Sequence, residues 1–348
     1  MSFQSEIVAW YLKNKRDLPW RGTTNPYVIW LSEIILQQTR VEQGLPYFNK
    51  FLENFPDVEA FANASEEKVL KLWQGLGYYS RGRNMLYTAK YVMEHHNGYF
   101  PTAFQDLIKL KGVGDYTAAA ISSFSINEKK AVVDGNVYRV LARYFGIEEP
   151  INSTNGQKLF ANLAQELIED QQPSLYNQAM MEFGALHCKP KSPKCSDCPV
   201  QSGCTALKEN KIDILPVKLK KLKIRKRWFN YFVGKTNHEI LIKQRQPGDV
   251  WQHLYDFPLI ETAGDDFENS LDFSEKIKNM FGENVVIKPL EAKKHILTHQ
   301  IIYVQFFAID NYIVNFNQHT EIKSVKIEAF KHLPHPKIIG DFIEKHID

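Results

Sequence analysis

The sequence predicts a mostly α-helical domain followed by a smaller α/β domain. Up to about residue 187, apolar side chains recur at helical spacing and few segments alternate with period two. All four cysteines then fall within residues 188–204. From Trp228 onward, alternating segments between turn residues indicate strands. A length of 348 residues also favours two domains, because single cores rarely grow to that size.

The helical part is a series of amphipathic segments separated by glycine and proline. The first carries Phe3, Ile7 and Trp10 near helical spacing, and the second begins beside Pro26, a residue that favours the first helical turn. The predicted helices cover residues 3–14, 27–42, 45–54, 65–74, 81–95, 117–126, 136–145, 156–169 and 174–187.

A lysine-rich connector, residues 205–227, separates the two predicted domains. It holds nine Lys or Arg and two acids, a local charge of 9 − 2 = +7. Such a segment either contacts phosphate or is a solvated linker. We therefore predict a helical domain over 1–204 and a smaller domain over 228–348. The latter has predicted strands at 230–235, 239–245 and 301–309, and helices near 273–281 and 336–346.

Composition excludes several classes of protein. A hydrophobic content of 44% with 13% aromatic residues is enough for packed cores, so a globally disordered chain is excluded. No run approaches 18 uncharged apolar residues, and the first residues lack the apolar core of a signal peptide. We expect a cytoplasmic protein without a membrane span.

The cysteines have the spacing Cys188-x6-Cys195-x2-Cys198-x5-Cys204. A disulfide is unfavourable in a cytoplasmic chain, so four clustered thiols indicate a metal site. Four thiolates suit either a tetrahedral zinc ion or an iron–sulfur cluster, and generic chemistry does not separate the two. Three lysines in the first gap could present positive charge to a phosphate; they are Lys189, Lys191 and Lys194.

A glycine turn and a following carboxylate form a second motif. A helix is predicted to end at Lys111, Gly112-Val113-Gly114 turns the chain, and a new helix starts near Thr117. Backbone N–H groups of such a turn can hold a phosphate oxygen, alone or through a bound cation. Asp134 lies just before the next predicted helix, where the helix dipole favours its ionised form. Asp134 is therefore either a helix N-cap or a functional anion.

Glu33 is a second candidate carboxylate. It is flanked by Trp30, Leu31 and Ile34, and burial among apolar groups raises the pKa of a carboxyl group. Glu33 could then stay protonated near neutral pH and donate a proton, while Asp134 stays ionised. Pairs of carboxyls with such different environments are typical of glycoside hydrolysis. The alternative is a solvent-facing helical glutamate.

Several segments together resemble the MutY-type adenine DNA glycosylases of the endonuclease III, or helix-hairpin-helix, superfamily. These are LPWR (18–21), WLSEIILQQTRV (30–41), GLGYYSRGRN (75–84), LKGVGDYTAAA (110–120), VDGNVYRVLAR (133–143) and NQAMMEFGA (177–185). The resemblance runs from about residue 8 to 204. It implies a helix-hairpin-helix glycosylase with one 4Fe–4S cluster on the four cysteines. The implied enzyme acts in base excision repair as a monomer near the bacterial nucleoid, on duplex DNA with A opposite 8-oxoguanine or G.

The resemblance also implies roles for individual residues. Glu33 protonates adenine N7, and Asp134 stabilises or transiently bonds the sugar cation. Tyr116 and Asn136 hold that aspartate and the intermediate, and Gly112 and Gly114 contact DNA. The implied adenine pocket consists of Trp20, Arg21, Leu36 and Glu182, and the implied wedges into the base stack are Gln38 and Tyr78. Related bifunctional enzymes have a catalytic lysine where this chain has Tyr116, which implies a monofunctional enzyme.

Residues 228–348 weakly resemble the Nudix-like domain of the same family, through the stretch 241–261. The stretch 264–282 lacks the Arg-Glu and paired Glu of a catalytic Nudix box, so we expect a binding module. Family members recognise 8-oxoguanine with Phe-Ser-His, and the matching residues are Leu297-Thr298-His299, after His295. Thr298 keeps the hydroxyl and Leu297 replaces the aromatic ring, and the histidines could also be ordinary strand residues.

Three other functions are compatible with parts of the sequence. A thymine-glycol or mismatch glycosylase of the same fold is disfavoured by Tyr116 and by the C-terminal domain. A non-catalytic DNA-binding protein is disfavoured by the retention of both Glu33 and Asp134. A Nudix hydrolase with an added helical domain is disfavoured by the missing box.

Overall fold

A computed structural model describes residues 2–219, 224–264, 271–316 and 318–347. The chain divides into two compact units. The first comprises Met1–Ala64 and Asn84–Lys220, and the second comprises Ser65–Arg83 and Lys221–Asp348. The predicted mostly α part and smaller α/β part are confirmed. The unit boundaries differ from the predicted domain ranges, because residues 65–83 group with the C-terminal unit.

The helices begin and end close to the predicted positions. They are α1 (Phe3–Asn14), α2 (Pro26–Leu36), α3 (Val41–Asn54), α4 (Val58–Ala62), α5 (Glu66–Trp73), α6 (Ser80–His96), α7 (Phe104–Leu107), α8 (Asp115–Ile126), α9 (Gly135–Phe145), α10 (Thr154–Ile168), α11 (Pro173–Leu186), α12 (Thr205–Lys208), α13 (Leu271–Phe281), α14 (Ile327–His332) and α15 (Lys337–His346). Among the described residues, no helix is both long enough and apolar enough to cross a bilayer.

Two predicted helix ends are wrong. The helix predicted over 27–42 stops at Leu36, and α3 begins at Val41. Between them Gln38 has φ 58°, in the left-handed region, where a continuing helix is impossible. The helix predicted to end at Lys111 is the single turn α7, which ends at Leu107.

The core of the helical unit forms where α1, α9, α10 and α11 pack together. Its buried members include Ile7, Leu141, Phe160 and Phe183, each at most 1% exposed. Part of the predicted linker belongs to this core, because Ala206 and Leu215 are buried in it. Residues 205–219 are therefore anchored to the core at these two positions while many of the others are exposed, and residues 220–223 lie outside the described residues.

The C-terminal unit contains two sheets. The strands are β1 (Arg225–Val233), β2 (Glu239–Gln244), β3 (Tyr255–Asp256), β4 (Leu259–Thr262), β5 (Val286–Ile296), β6 (Gln300–Asp310) and β7 (Ile322–Lys326). One sheet has the order β4-β1-β6-β5, with β1 and β6 parallel, and the other has the order β3-β2-β7. Helix α13 packs Phe273 and Ile277 against Phe232 and Phe307 of the first sheet. In the stretch 264–282, where no Nudix box is predicted, residues 265–270 lie outside the described residues.

Candidate active site

Glu33 lies in the middle of α2, an almost wholly buried helix. Asn25 caps the first N–H groups of α2, and Pro26 occupies its first turn. Glu33 is 7% exposed, and its Oε2 accepts a 2.7 Å hydrogen bond from the Tyr116 hydroxyl. Burial raises the pKa of Glu33 to about 7, although the Tyr116 hydrogen bond lowers it; the charge of Asp134 raises it further. A substantial fraction of this carboxyl is therefore protonated at neutral pH.

Asp134 is the N-cap of α9. Its Oδ1 accepts hydrogen bonds from the backbone N–H groups of Asn136 and Val137, both at 2.8 Å, and its Oδ2 accepts one from Asn136 Nδ2 at 2.6 Å. Burial raises the pKa of Asp134, and these three donors oppose the rise because they favour the carboxylate. Asp134 can therefore cap α9 and also carry a negative charge.

Both carboxyl groups face one cavity of about 860 Å³. Leu36, Gln38, Gly114 and Tyr116 also line it. Tyr116 was predicted to hold Asp134, but its hydroxyl donates to Glu33 instead, and Asn136 is the residue that holds Asp134. The cavity thus combines a carboxyl with a raised pKa, a capping carboxylate and an exposed residue, Gln38, in a left-handed conformation.

The residues predicted for the adenine pocket do not all meet at one place. Trp20 and Arg21 border a second cavity beside Glu33, of only about 40 Å³, which has room for little more than a water molecule. Leu36 lines the large cavity. Glu182 is not among the described residues that line either cavity, and a flipped base would require the small cavity to expand.

Glu182 instead neutralises two arginines. It is 1% exposed, and its oxygens accept from the Arg16 and Arg21 guanidinium groups at 2.7–3.0 Å. Although burial raises the pKa of Glu182, the hydrogen bonds from Arg21 and Arg16 lower it to about 2. Glu182 therefore fixes the position of Arg21 at the wall of the small cavity.

The glycine hairpin precedes α8. Gly112 has φ 82°, and a Cβ there would lie 3.0 Å from Asn84 Cβ, so glycine suits both the turn and the packing. Gly114 occupies the N-cap position of α8 and has no side chain that could cap this described helix. The first N–H groups of α8 are therefore suited to bind an anion such as a phosphate.

The four cysteines lie in the loop after α11, and all are partly buried. Burial and, to a smaller extent, the neighbouring charges of Cys188, Cys204 and Cys195 raise the pKa of the Cys198 thiol to about 11, although a backbone hydrogen bond from Val200 lowers it. Four close thiolates are unstable without a compensating cation, and the irons of a cluster would supply that charge. The donor set therefore fits an iron–sulfur cluster.

Two arginines of α9 hold this loop. Arg143 is 2% exposed and donates to Lys189 O at 2.7 Å, to Pro190 O at 3.1 Å and to Cys188 Sγ at 3.5 Å. Arg139 donates to Cys188 O at 2.7 Å and, through Nη2, to Asn136 Oδ1 at 2.9 Å. A chain of hydrogen bonds therefore connects the cysteine loop to Asp134 through Arg139 and Asn136.

The residues predicted to recognise the lesion lie in the C-terminal unit. Tyr78, Thr298 and His299 line a cavity of about 480 Å³ together with His295 and Trp251. The Tyr78 hydroxyl and Thr298 Oγ1 form a hydrogen bond, and Tyr78 has φ 47° and is 41% exposed. A strained backbone at an exposed aromatic residue such as Tyr78 is typical of a functional position.

Several residues around the sites were missed by the sequence analysis. Arg16 and Arg139 gave no local signal, because their partners are distant in sequence. Gly184 of α11 was included in the segment 177–185 but was not predicted to have a role of its own. A Cβ at this position would lie 2.6 Å from Asn136 Cβ and 2.8 Å from Asn136 O. Because Gly184 has no side chain, α11 can approach the N-terminus of α9, where Asp134 lies.

Comparison with protein families gives three matches. Residues 31–169 match the HhH-GPD superfamily of base excision DNA repair proteins, and residues 230–345 match the NUDIX domain. Residues 188–204 match the iron–sulfur binding domain of endonuclease III. The predicted 4Fe–4S cofactor and the predicted superfamily are thereby confirmed.

Relatives are found in bacteria and animals. The chain is 36% identical over 304 residues to an adenine DNA glycosylase of Buchnera aphidicola subsp. Baizongia pistaciae, covering 87% of this chain and 84% of that protein. It is 43% identical over 214 residues to the mouse enzyme of the same name, covering 59% of this chain and 42% of that protein.

Among solved structures, a thermostable thymine-DNA glycosylase is 30% identical with a TM-score of 0.55, covering 60% of this chain and 95% of that chain. A non-covalent endonuclease III–DNA complex, 21% identical, shares the fold with a TM-score of 0.52, covering 60% of this chain and 94% of that one.

Proposed function

This chain belongs to the adenine DNA glycosylase family, and we propose that it excises adenine opposite 8-oxoguanine or G in duplex DNA by hydrolysis alone. It is a base excision repair glycosylase that removes adenine. The observation that carries the finer proposal is a single cavity with two carboxyls in opposite settings. Glu33 is buried among apolar groups, and Asp134 is held by three N–H donors.

Glu33 is the proposed general acid. Breaking the bond between adenine N9 and the sugar C1′ leaves the electron pair on the base, so protonation of N7 makes the base a better leaving group. Only a protonated carboxyl can supply that proton. A pKa of about 7 keeps enough of Glu33 protonated at neutral pH.

Asp134 is the proposed electrostatic partner. Loss of the base leaves a positive charge shared by C1′ and the ring oxygen, and an anion close to C1′ stabilises that charge or bonds to it transiently. Asn136 fixes the carboxylate through two hydrogen bonds. Water then adds to C1′, displacing Asp134 where it has bonded, and gives its proton to the Glu33 carboxylate, which completes the hydrolysis and restores the acid.

Tyr116 supports the proposal of a monofunctional enzyme. A Schiff-base lyase needs an amine at the sugar, and position 116 carries a phenol whose hydroxyl is engaged by Glu33. Borohydride should therefore trap little covalent adduct between this protein and DNA.

The remaining residues are proposed to bind the cluster and the DNA. Each of the four cysteines is a cluster ligand, and the cluster orders the loop that carries three lysines near the phosphates. Gly112 and Gly114 present the N–H groups of the hairpin to a phosphate. A flipped adenine enters beside Trp20 and Arg21, because the glycosidic bond is inaccessible inside the duplex. The protein acts as a monomer.

Gln38 and Tyr78 are the proposed wedges, and both have positive φ. Thr298 and His299 are proposed to contact 8-oxoguanine, which would make the C-terminal unit a recognition module. Replacing Thr298 or His299 by alanine in the full-length protein should then reduce the preference for 8-oxoguanine over G; a specific base contact is typically worth about 1–3 kcal/mol.

The central test is base release in single turnover from duplexes containing A opposite 8-oxoguanine, A opposite G, a T:G mismatch or thymine glycol. Glu33→Gln and Asp134→Asn should bind the first duplex tightly yet release adenine slower by roughly 100-fold or more each. Asp115→Asn is the matched control, because its exposed carboxylate lines the same cavity. Preferred release of thymine glycol or thymine, or equal activity of all variants, would refute the proposal.

A further inference from the structure

The helix α5 and the segment after it are structurally part of the C-terminal unit. Lys71 of α5 donates from Nζ to the backbone oxygens of Lys331, at 2.6 Å, and of Leu333, at 3.1 Å. These carbonyls terminate α14, where the helix dipole is negative and a cation is favoured. Lys71 therefore fastens α5 to the end of α14.

A second pair of contacts holds the loop between β2 and β3. The Glu66 carboxylate contacts the His253 ring, and Arg83 Nη1 donates to Gln252 O at 3.0 Å. Trp251 and His253 in this loop have φ values of 61° and 65°. A residue other than glycine keeps a positive φ only where neighbouring groups hold it in place. The contacts of Glu66 and Arg83 are among those that hold this loop.

The same loop forms one wall of the cavity that contains Tyr78 and Thr298. Trp251 of the loop packs edge-on against His295, with ring centroids 5.5 Å apart, and His295 lies three residues before Thr298. Tyr78 follows α5 in sequence and reaches Thr298 directly. Contacts of α5 and of the β2–β3 loop therefore surround the place where Tyr78 meets Thr298.

We propose that Lys71 and Glu66 are positioning residues for recognition of the base opposite adenine, although neither lines the cavity. They hold α14 and the β2–β3 loop so that Tyr78 and Thr298 meet at the wall of the cavity that would receive the opposite base. The inference rests on the proposed function in one respect: that this cavity contacts the opposite base.

The test measures binding without chemistry. The full-length, cluster-containing protein is titrated with two duplexes that carry a tetrahydrofuran abasic-site analogue opposite either 8-oxoguanine or G. Lys71→Met and Glu66→Gln should each lower the ratio of the two affinities by roughly tenfold, the effect of displacing about one specific base contact. Affinity for the G duplex should be unchanged. Lys71→Arg, which keeps the cation and its donors, should restore the ratio.

Glu67→Gln is the matched control, because Glu67 is an exposed carboxylate on the same turn of α5. An unchanged ratio in both variants would overturn the inference, and so would an equal loss of affinity for both duplexes, which marks a merely structural role. Equal binding of the two duplexes by the unsubstituted protein would overturn it as well, whether or not adenine is excised. A protein that discriminates by binding but excises no adenine would refute the proposed function alone.

Discussion

Replacing Glu33 by glutamine should stabilise the helical unit above neutral pH while it removes the proposed acid. The folded chain raises the pKa of this 7% exposed carboxyl from 4.5 to about 7, so folding disfavours its ionised form. At about 1.4 kcal/mol per pH unit, the folded protein loses about 3 kcal/mol once the group is fully ionised. Glutamine is neutral at every pH and avoids this loss.

The sign of the effect depends on pH in a defined way. Below pH 4.5 the carboxyl is protonated in both the folded and the unfolded chain, so the substitution gains nothing. Between pH 4.5 and about 7 the unfolded chain releases the proton first, and the free energy of unfolding falls progressively. The advantage of Glu33→Gln should therefore be about 1 kcal/mol near pH 5 and about 3 kcal/mol near pH 8.

The free energy of unfolding of the cluster-containing protein and of Glu33→Gln is measured in urea near pH 5 and near pH 8. Unfolding is monitored by the circular dichroism signal of the helices. Asp115→Asn is the control, because its carboxylate is exposed on the same cavity and should give no comparable gain. A gain of equal size at both pH values, or a loss near pH 8, would refute the idea that Glu33 is held protonated by burial.

Three further predictions concern single residues. Tyr116→Phe removes the hydrogen bond that lowers the Glu33 pKa, so the alkaline limb of single-turnover excision should move up by roughly one pH unit; an unmoved limb contradicts this. Cys198→Ser should lose the cluster, measured as iron per chain and brown absorbance, and retained iron would exclude Cys198 as a ligand. Gly184→Ala forces a Cβ against Asn136, so it should cost about 1–3 kcal/mol of stability and slow excision, whereas wild-type values for both would show that the helices can separate.

Much of the fold was predictable because its signals are local. The helical periodicity, the start of α2 at Pro26, the cap at Asp134 and the cysteine spacing each depend on residues close in sequence. Strand β5 was missed because no residue of this described strand is buried, so its side chains show no alternation of polarity. The end of α2 was missed because neither glycine nor proline marks the break at Gln38.

The candidate site was predictable in its residues but less so in its contacts. Of the two alternatives left open for Glu33, a buried and a solvent-facing carboxyl, the structure shows the buried one, in a helix whose residues are mostly apolar. The resemblance had grouped Arg21 with Glu182, but the second partner, Arg16, was not predictable because it lies 166 residues earlier in the chain. Residues 65–83 were assigned to the first domain by proximity in sequence, whereas they group with the second compact unit.

The motif VDGNVYRVLAR has a physical explanation in this structure. Asn136, Arg139 and Arg143 follow each other at intervals of three and four, which places them on one face of α9. Asn136 accepts from Arg139 through Oδ1, so its Nδ2 is left to donate to Asp134. Arg139 and Arg143 both end on backbone oxygens of the cysteine loop, at Cys188 and Lys189. One helical face therefore positions the capping carboxylate and the start of the cluster loop together, and a substitution at Arg139 should disturb both.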